Sequence, residues 1–281
     1  MRTNLVLTMC FVLAACSGGK PSEPMTEDAV GALETGATGA TAETATEAKA
    51  AKPDCSSLPR PDAKTDNDLI GIDMGMSADD ALRIGQCSKE GYEVAVEDDK
   101  SVTLPDGSHG RGMIELRKPN DRVNIFVMGL PGKETVYGLV REKKFAEGEE
   151  PTLDQMRADL VGKYGQMVEI NNPYELAQAF TPSGQPIAGN DLGGGWNCAS
   201  VFGQNNNLGQ LNERCGFTKK ISVKARYGNE ALSGGFSVWI GDQNKMFTLA
   251  RQVVAAVGAM HQQRRDAAVE KAASSDRTPD L

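Results

Sequence analysis

Cysteine and histidine are the side chains here that could hold a metal, attack a carbonyl or cross-link the fold, and their spacing limits each use. The chain has six cysteines and two histidines in 281 residues. Cys55, Cys87, Cys198 and Cys215 form an even set in the body of the chain, which points to disulfides if the chain is exported. Three pairings are possible. Cys55–Cys87 and Cys198–Cys215 are favoured because each is local and lies in its own half. The second closes a loop of 16 intervening residues, worth about 3 kcal/mol on chain-entropy grounds. That loop carries Asn205-Asn206-Asn207 and little that packs, so it needs a clamp. A zinc site would need C-x-x-C spacing with a histidine nearby, and neither is present. No metal and no cofactor is expected.

His109 follows Ser108 in Asp106-Gly107-Ser108-His109-Gly110. A Ser–His pair could be nucleophile and base, but neighbours in a tight turn rarely reach each other in the required way. A solvated turn is the better reading. His261 falls near the end of the last expected helix, where a cation suits the dipole. No H-E-x-x-H, G-x-S-x-G or Walker pattern occurs. Gly193-Gly194-Gly195 precedes Trp196-Asn197-Cys198 rather than a helix, so it reads as a loop and not a phosphate cradle. Glu97-Asp98-Asp99 and Glu147-Gly148-Glu149-Glu150 lack the alternation of a calcium loop and read as solvated strand ends. Trp196 and Trp239 read as core or sheet residues. Arg141-Glu142-Lys143-Lys144 reads as an exposed strand end of mixed sign, and Arg264-Arg265 is balanced by Asp266 and Glu270. No catalytic residue is assigned.

The elements that would position these groups alternate between helix and strand. Leu69-Ile70-Gly71-Ile72 reads as a short strand or extended segment. Ser77 caps a helix with Ala78, Ala81, Leu82 and Gly85 on one face. Strands are expected at 92–96, 101–104 and 111–117, the last two flanking the turn Pro105-Asp106-Gly107-Ser108. Val123, Ile125 and Val127 alternate with Asn124, Phe126 and Met128, and the two largely apolar faces suit a central strand. A further strand spans 135–145. Thr152 and Gln155 make a capping box, and Leu153, Met156, Leu160 and Tyr164 form the clearest helical stripe. Gly165 ends that helix. Strands follow at 167–170, 175–181, 195–200, 219–227 and 235–240. In 219–227, Ile221, Val223, Ala225 and Tyr227 oppose Ser222, Lys224 and Arg226, which gives the strand a wet face. Asp242 caps a last helix with Met246, Ala250, Val253 and Val257 inward, fraying from His261.

The N-terminus carries Arg2, an apolar stretch over 5–15, and Leu13-Ala14-Ala15-Cys16. This resembles the lipobox of bacterial lipoproteins, in which the cysteine is acylated and becomes the new N-terminus. The resemblance implies a signal peptide over 1–15, lipidation at Cys16 and removal of Cys10. Acyl chains hold a protein to a bilayer at about 0.8 kcal/mol per buried CH₂. Ser17 after the cysteine looks like outer-membrane sorting, with a periplasmic domain. Residues 17–54 are rich in Ala, Thr, Glu and Gly, with three lysines against seven acids. Such a segment buries too little to offset its ordering entropy and reads as a tether. With the lipidated cysteine, the tether spans 16–54.

Beyond the tether, 55–260 is expected to fold, and 261–281 is a polar tail. The fold class is α+β: an antiparallel sheet with helices packed on one side. Two tandem helix-plus-meander units, 55–150 and 151–260, are one way to divide it. The segment Gly71-Ile72-Asp73-Met74-Gly75-Met76-Ser77-Ala78-Asp79-Asp80-Ala81 resembles the Gly-Met-Ser/Thr-x-x-Glu/Asp lead-in of small envelope proteins. Their fold is shared by β-lactamase-inhibitor proteins and a small outer-membrane assembly lipoprotein, and it implies binding rather than chemistry. The second helix begins at Pro151-Thr152 without that motif. The net charge is −8, from 30 Lys plus Arg against 38 Asp plus Glu, which repels phosphate and argues against nucleic acid as a partner. The expected partners are the lipid bilayer, through Cys16, and an envelope protein. The expected role is a non-catalytic binding or scaffold module. The alternatives are a hydrolase inhibitor inserting the loop 106–110 into a cleft, and an enzyme acting on envelope polymers.

Overall fold

The computed structural model describes residues 55–56, 58, 68–89, 91–188, 198 and 215–274. Each helix opens on the cap read from the sequence. Ser77 precedes α1 (Ala78–Cys87) and its hydroxyl accepts from the Asp80 amide at 3.1 Å. Thr152 does the same for the Gln155 amide at 3.2 Å at the start of α2 (Leu153–Tyr164), which Gly165 ends at φ 85°. Asp242 accepts from the Lys245 amide at 2.8 Å before α3 (Gln243–Ser274). Each cap satisfies an amide that the first helical turn leaves unpaired.

Each of the first two helices is followed by a four-stranded meander. After α1 come β1 (Glu93–Thr103), β2 (His109–Lys118), β3 (Asp121–Met128) and β4 (Thr135–Lys144). After α2 come β5 (Val168–Glu169), β6 (Glu175–Ala179), β7 (Phe217–Arg226) and β8 (Asn229–Asp242). The eight strands form one antiparallel sheet in the order β1-β2-β3-β4-β8-β7-β6-β5. The last strand of each meander thus pairs with the last strand of the other, from Gly138↔Gly241 to Lys144↔Gly235. The cap residues match as well: Ser77 bridges to Thr135 of β4, and Thr152 bridges to Leu232 of β8. The chain is therefore α+β, built as two successive helix-plus-meander units.

Alternation along the strands sorts the two faces. On the first face Ile114, Leu116, Val123, Ile125, Leu139, Ile221, Val238 and Ile240 pack with Ala81 and Ile84 of α1 and with Leu153, Met156 and Leu160 of α2. Helix α3 adds cover on the second face. Its Met246 and Val253 pack with Met128, Leu130 and Tyr137, whose chain neighbours Val127 and Val136 point to the first face. The expected fraying at His261 does not occur. The helix continues to Ser274 although every residue of 261–274 is exposed. Ala, Gln, Arg, Glu and Lys are good helix formers, and Gln262 reaches Asp266 one turn on at 2.7 Å.

Three further expectations change. The segments 92–96 and 101–104 belong to one strand, β1, whose pairing with β2 shifts register at Glu97/Asp98 and again before Thr103. An acidic bulge bends the strand without ending it. Leu69 and Ile72 bridge each other across a tight turn with Ile70 at φ 53°, so 69–72 is not a sheet strand. Arg141 is not an exposed strand end. Its Nε and a terminal nitrogen lie 3.0 and 2.6 Å from the two Asp121 oxygens, and the Asp121 side chain is only 1% exposed. Tyr92 Oη donates to the same carboxylate at 3.1 Å, and Lys118 lies at 3.6 Å. The basic residue is drawn inward because a buried carboxylate requires a partner.

Burial pushes the Asp121 carboxyl up, but Arg141, Tyr92 and Lys118 outweigh it and hold it below the ordinary 3.8. Glu134 behaves alike: burial raises it, and Arg111 holds it below 4.5. In the unfolded chain both carboxylates take up protons first, so their contribution is complete above the ordinary values and disappears as the pH falls through the lower folded values. Urea unfolding across an acid pH series should show stability falling in that window, with a shallower fall in Arg141→Ala. At neutral pH, Arg141→Ala should cost about 3–5 kcal/mol, because it strands a buried charge. At the β4–β8 seam, a Cβ on Gly235 would meet the Lys143 carbonyl oxygen at 2.3 Å. Gly235→Ala should therefore lower the urea midpoint by the equivalent of about 1–3 kcal/mol.

Candidate functional site: the second face of the sheet

Antiparallel register lays the second face out in rows. Glu115 on β2, Asn124 on β3, Val140 on β4, Trp239 on β8 and Lys220 on β7 stand side by side. Beside them runs Arg117, Arg122, Glu142, Ser237 and Ser222. One end of this floor is crossed by α3, which touches β1, β3, β4 and β7. The β6 flank is covered where Cys198 and Cys215 pack on Ala177 and Ala179. Gln243, fully buried at the start of α3, ties the two covers together by donating from Nε2 to the Cys198 carbonyl at 3.3 Å.

The floor is ionic and polar. Glu115 is buried and pairs with Arg117, while Arg122 stands 3.7 Å from its other oxygen and 3.2 Å from Glu142. The two arginine side chains are more than half exposed, at 57% and 51%. Lys220 Nζ sits 5.3 Å from the Trp239 ring centroid, a cation–π contact. Among the described residues, five buried side-chain polar atoms have no hydrogen-bond partner. Four lie on this face: Glu115 Oε1, Asn124 Oδ1, Thr218 Oγ1 and Trp239 Nε1. Burying such an atom with no partner at all costs about 1–3 kcal/mol; for Glu115 Oε1 the Arg122 guanidinium at 3.7 Å offsets part of that.

The residues singled out from the sequence are placed as follows. Cys16 lies outside the described residues, as do Gly193-Gly194-Gly195, Trp196 and all but Cys198 of the strand expected at 195–200. Both favoured disulfides are present, with Cα–Cα distances of 5.6 Å each. Ser108 is tied within its own turn: its amide and hydroxyl donate to Asp106 Oδ1 at 2.9 and 2.7 Å. Those bonds hold the Asp106 carboxyl below its ordinary value. The turn is also braced by Arg264 of α3, which donates to the Pro105 carbonyl. Glu147 and Glu150 hold Arg226 at 3.0 and 2.7 Å, so that acidic run clamps the β7–β8 hairpin. Among the described residues no three His, Cys, Asp or Glu side chains converge as a metal site.

Near the ends of β6 and β7 a cavity of about 270 Å³ is lined by Phe180, Thr181, Phe217 and Asp242, among others. Its carboxylate is committed to capping α3, so it offers no acid–base pair. Glu115, Asn124 and Lys220 were missed as site residues. For Glu115 and Asn124 the signal was a single polar residue within an apolar run, as in Met113-Ile114-Glu115-Leu116 and Val123-Asn124-Ile125; Lys220, which follows Lys219, had none. Among the described residues no helix is long and apolar enough to cross a membrane.

If the unpaired atoms burden the free protein, removing one should stabilise it. Thr218 is 2% exposed with an unpartnered hydroxyl, so Thr218→Val should raise the unfolding midpoint by the equivalent of about 1 kcal/mol, measured by urea denaturation. No family model, no curated protein and no solved structure matches the chain.

Proposed function

We propose that this chain is a lipid-anchored protein of the cell envelope that works as a non-catalytic binding module, with the second face of the sheet as its partner surface. The lipobox-like Leu13-Ala14-Ala15-Cys16 and the polar run 17–54 support the anchor and its tether. The observation that carries the binding reading is the exposed Arg117 and Arg122, side by side on β2 and β3, with buried Glu115 and Asn124 in the next row. The proposed occupant is an envelope protein whose surface offers carboxylates to the two arginines.

The test uses the full-length protein in envelopes. A photo-crosslinker placed at Ser222 should give one reproducible adduct with an envelope protein, and one placed at Gln252, on the exposed side of α3, should not. Arg122→Glu removes a counter-charge from buried Glu115 and should lower the unfolding midpoint, yet it should keep the native far-ultraviolet circular dichroism and abolish the adduct. Equal adducts from both positions, or an adduct indifferent to Arg122→Glu, would refute the assignment of this face. Separately, the mass of the mature N-terminal peptide should include acyl chains on Cys16, and Cys16→Ser should release the protein from membranes. An unmodified membrane-bound Cys16 would refute the anchor.

The second reading, a hydrolase inhibitor, draws support from the braced turn at 106–110. Ser108 and Asp106 lock it internally and Arg264 ties it to α3, so an exposed loop is held in one shape at little entropic cost to binding. Asp106→Ala with Arg264→Ala should weaken inhibition of the target hydrolase. Inhibition that survives removal of the loop excludes this reading.

A further inference from the structure

The two disulfides differ in what solvent can reach. Cys198 and Cys215 are 3% and 0% exposed, packed with Ala177 and Ala179. Cys55 is exposed and Cys87 partly so. Their Cα–Cα distances are equal at 5.6 Å, so the contrast lies in access and not in reach. We infer that Cys55–Cys87 is a thiol–disulfide exchange site for a dithiol reductant, a protein or a small molecule carrying two thiols, and that Cys198–Cys215 is closed to it. This needs only the two bonds and does not rest on the anchor or on the partner surface.

The exchange balances as follows. A thiolate of the reductant attacks Cys87 Sγ, forming a mixed disulfide, and the Cys55–Cys87 bond breaks. Cys55 leaves as a thiolate and takes a proton from water. It is the better leaving group because Cys87 sits in the last turn of α1, where the unpaired carbonyls of a helix end disfavour a negative sulfur. The second thiolate of the reductant then attacks its own sulfur in the mixed disulfide and releases Cys87, which is protonated in turn. The protein gains two electrons and two protons, and the reductant becomes its disulfide.

Helix α1 has ties to the sheet besides this bond. Helix α1 keeps its Ser77 cap, its buried Ala78, Ala81 and Ile84, and the ion pair from Asp79 to Arg111 at 2.7 Å. Gly85 lies so close under Leu116 that a Cβ there would meet Cδ2 at 2.5 Å. Reduction therefore uncouples residue 55 from the end of α1 and leaves the sheet in place. The site is a covalent latch at the point where 17–54 joins the domain.

The test is timed reduction of the folded full chain with dithiothreitol, acid quenching, alkylation and peptide mass mapping. Cys55 and Cys87 should be labelled together, at least about tenfold faster than Cys198 and Cys215, while the far-ultraviolet circular dichroism stays constant. Equal rates, earlier opening of Cys198–Cys215, or labelling of Cys55 and Cys87 only in step with loss of the dichroism would each overturn the inference. The double variant Cys55→Ser, Cys87→Ser supplies the second check. It should fold with the same dichroism and lack the fast phase; a fast phase that persists, or a variant that does not fold, counts against a latch separable from the fold.

Discussion

The seam between β4 and β8 is the interaction on which the rest depends. Each meander ends in a strand that would otherwise present a bare edge, and the two edges close on each other from Gly138↔Gly241 to Lys144↔Gly235. Leu139 with Ile240 and Arg141 with Val238 stand on the helical face of the seam, and Val140 with Trp239 on the other. Pairing of this kind fixes register, since a slip of one residue would turn Trp239 into the core and Ile240 out of it. The close approach at Gly235 shows how little room the seam leaves. Among the described residues the sheet ends at β5, only two residues long, and at β1, which bends at an acidic bulge; both features discourage pairing with another chain.

Once the seam is set, the two faces divide the work. The face under α1 and α2 holds the apolar core, and its charges are local and paired, as Asp121 with Arg141 and Glu134 with Arg111. The opposite face carries polar atoms that the fold does not satisfy. The difference is one of energetics, since paired carboxylates inside a core stabilise at neutral pH while unpartnered buried acceptors do the reverse.

Local chemistry made much of this legible beforehand. The Ser77 and Thr152 caps, the stripe from Leu153 to Tyr164, Gly165 as the stop, and the wet side of 219–227 at Ser222 and Lys224 are all decided by neighbours within a few residues. The disulfide pairing was legible for a related reason, because loop closure favours short spans. What could not be read is what long-range pairing decides. Arg141 looks like an exposed strand end until β3 places Asp121 opposite it, and Glu115, Asn124 and Trp239 form a row only after four strands are in register. The tail beyond His261 was misread for another cause: polarity was taken as a sign of fraying, whereas α3 is a continuous helix extended by residues of high helical propensity.

The two covers of the second face do not reach the charged row of Arg117 and Arg122, whose side chains are more than half exposed. Helix α3 runs for 32 residues, about 48 Å at 1.5 Å per residue, yet its buried side chains, Gln243, Met246 and Val253, all lie in its first third. It is secured at one end by Gln243, which holds the Cys198 carbonyl, and again by Arg264 on Pro105. Between these ties it crosses one end of the strands, where Met128, Leu130 and Tyr137 supply apolar surface. A helix moved towards the centre would meet Arg117, Arg122 and Glu142 in place of that surface and would have to desolvate them. The same charges that make this face costly to cover from within leave Arg117 and Arg122 more than half exposed.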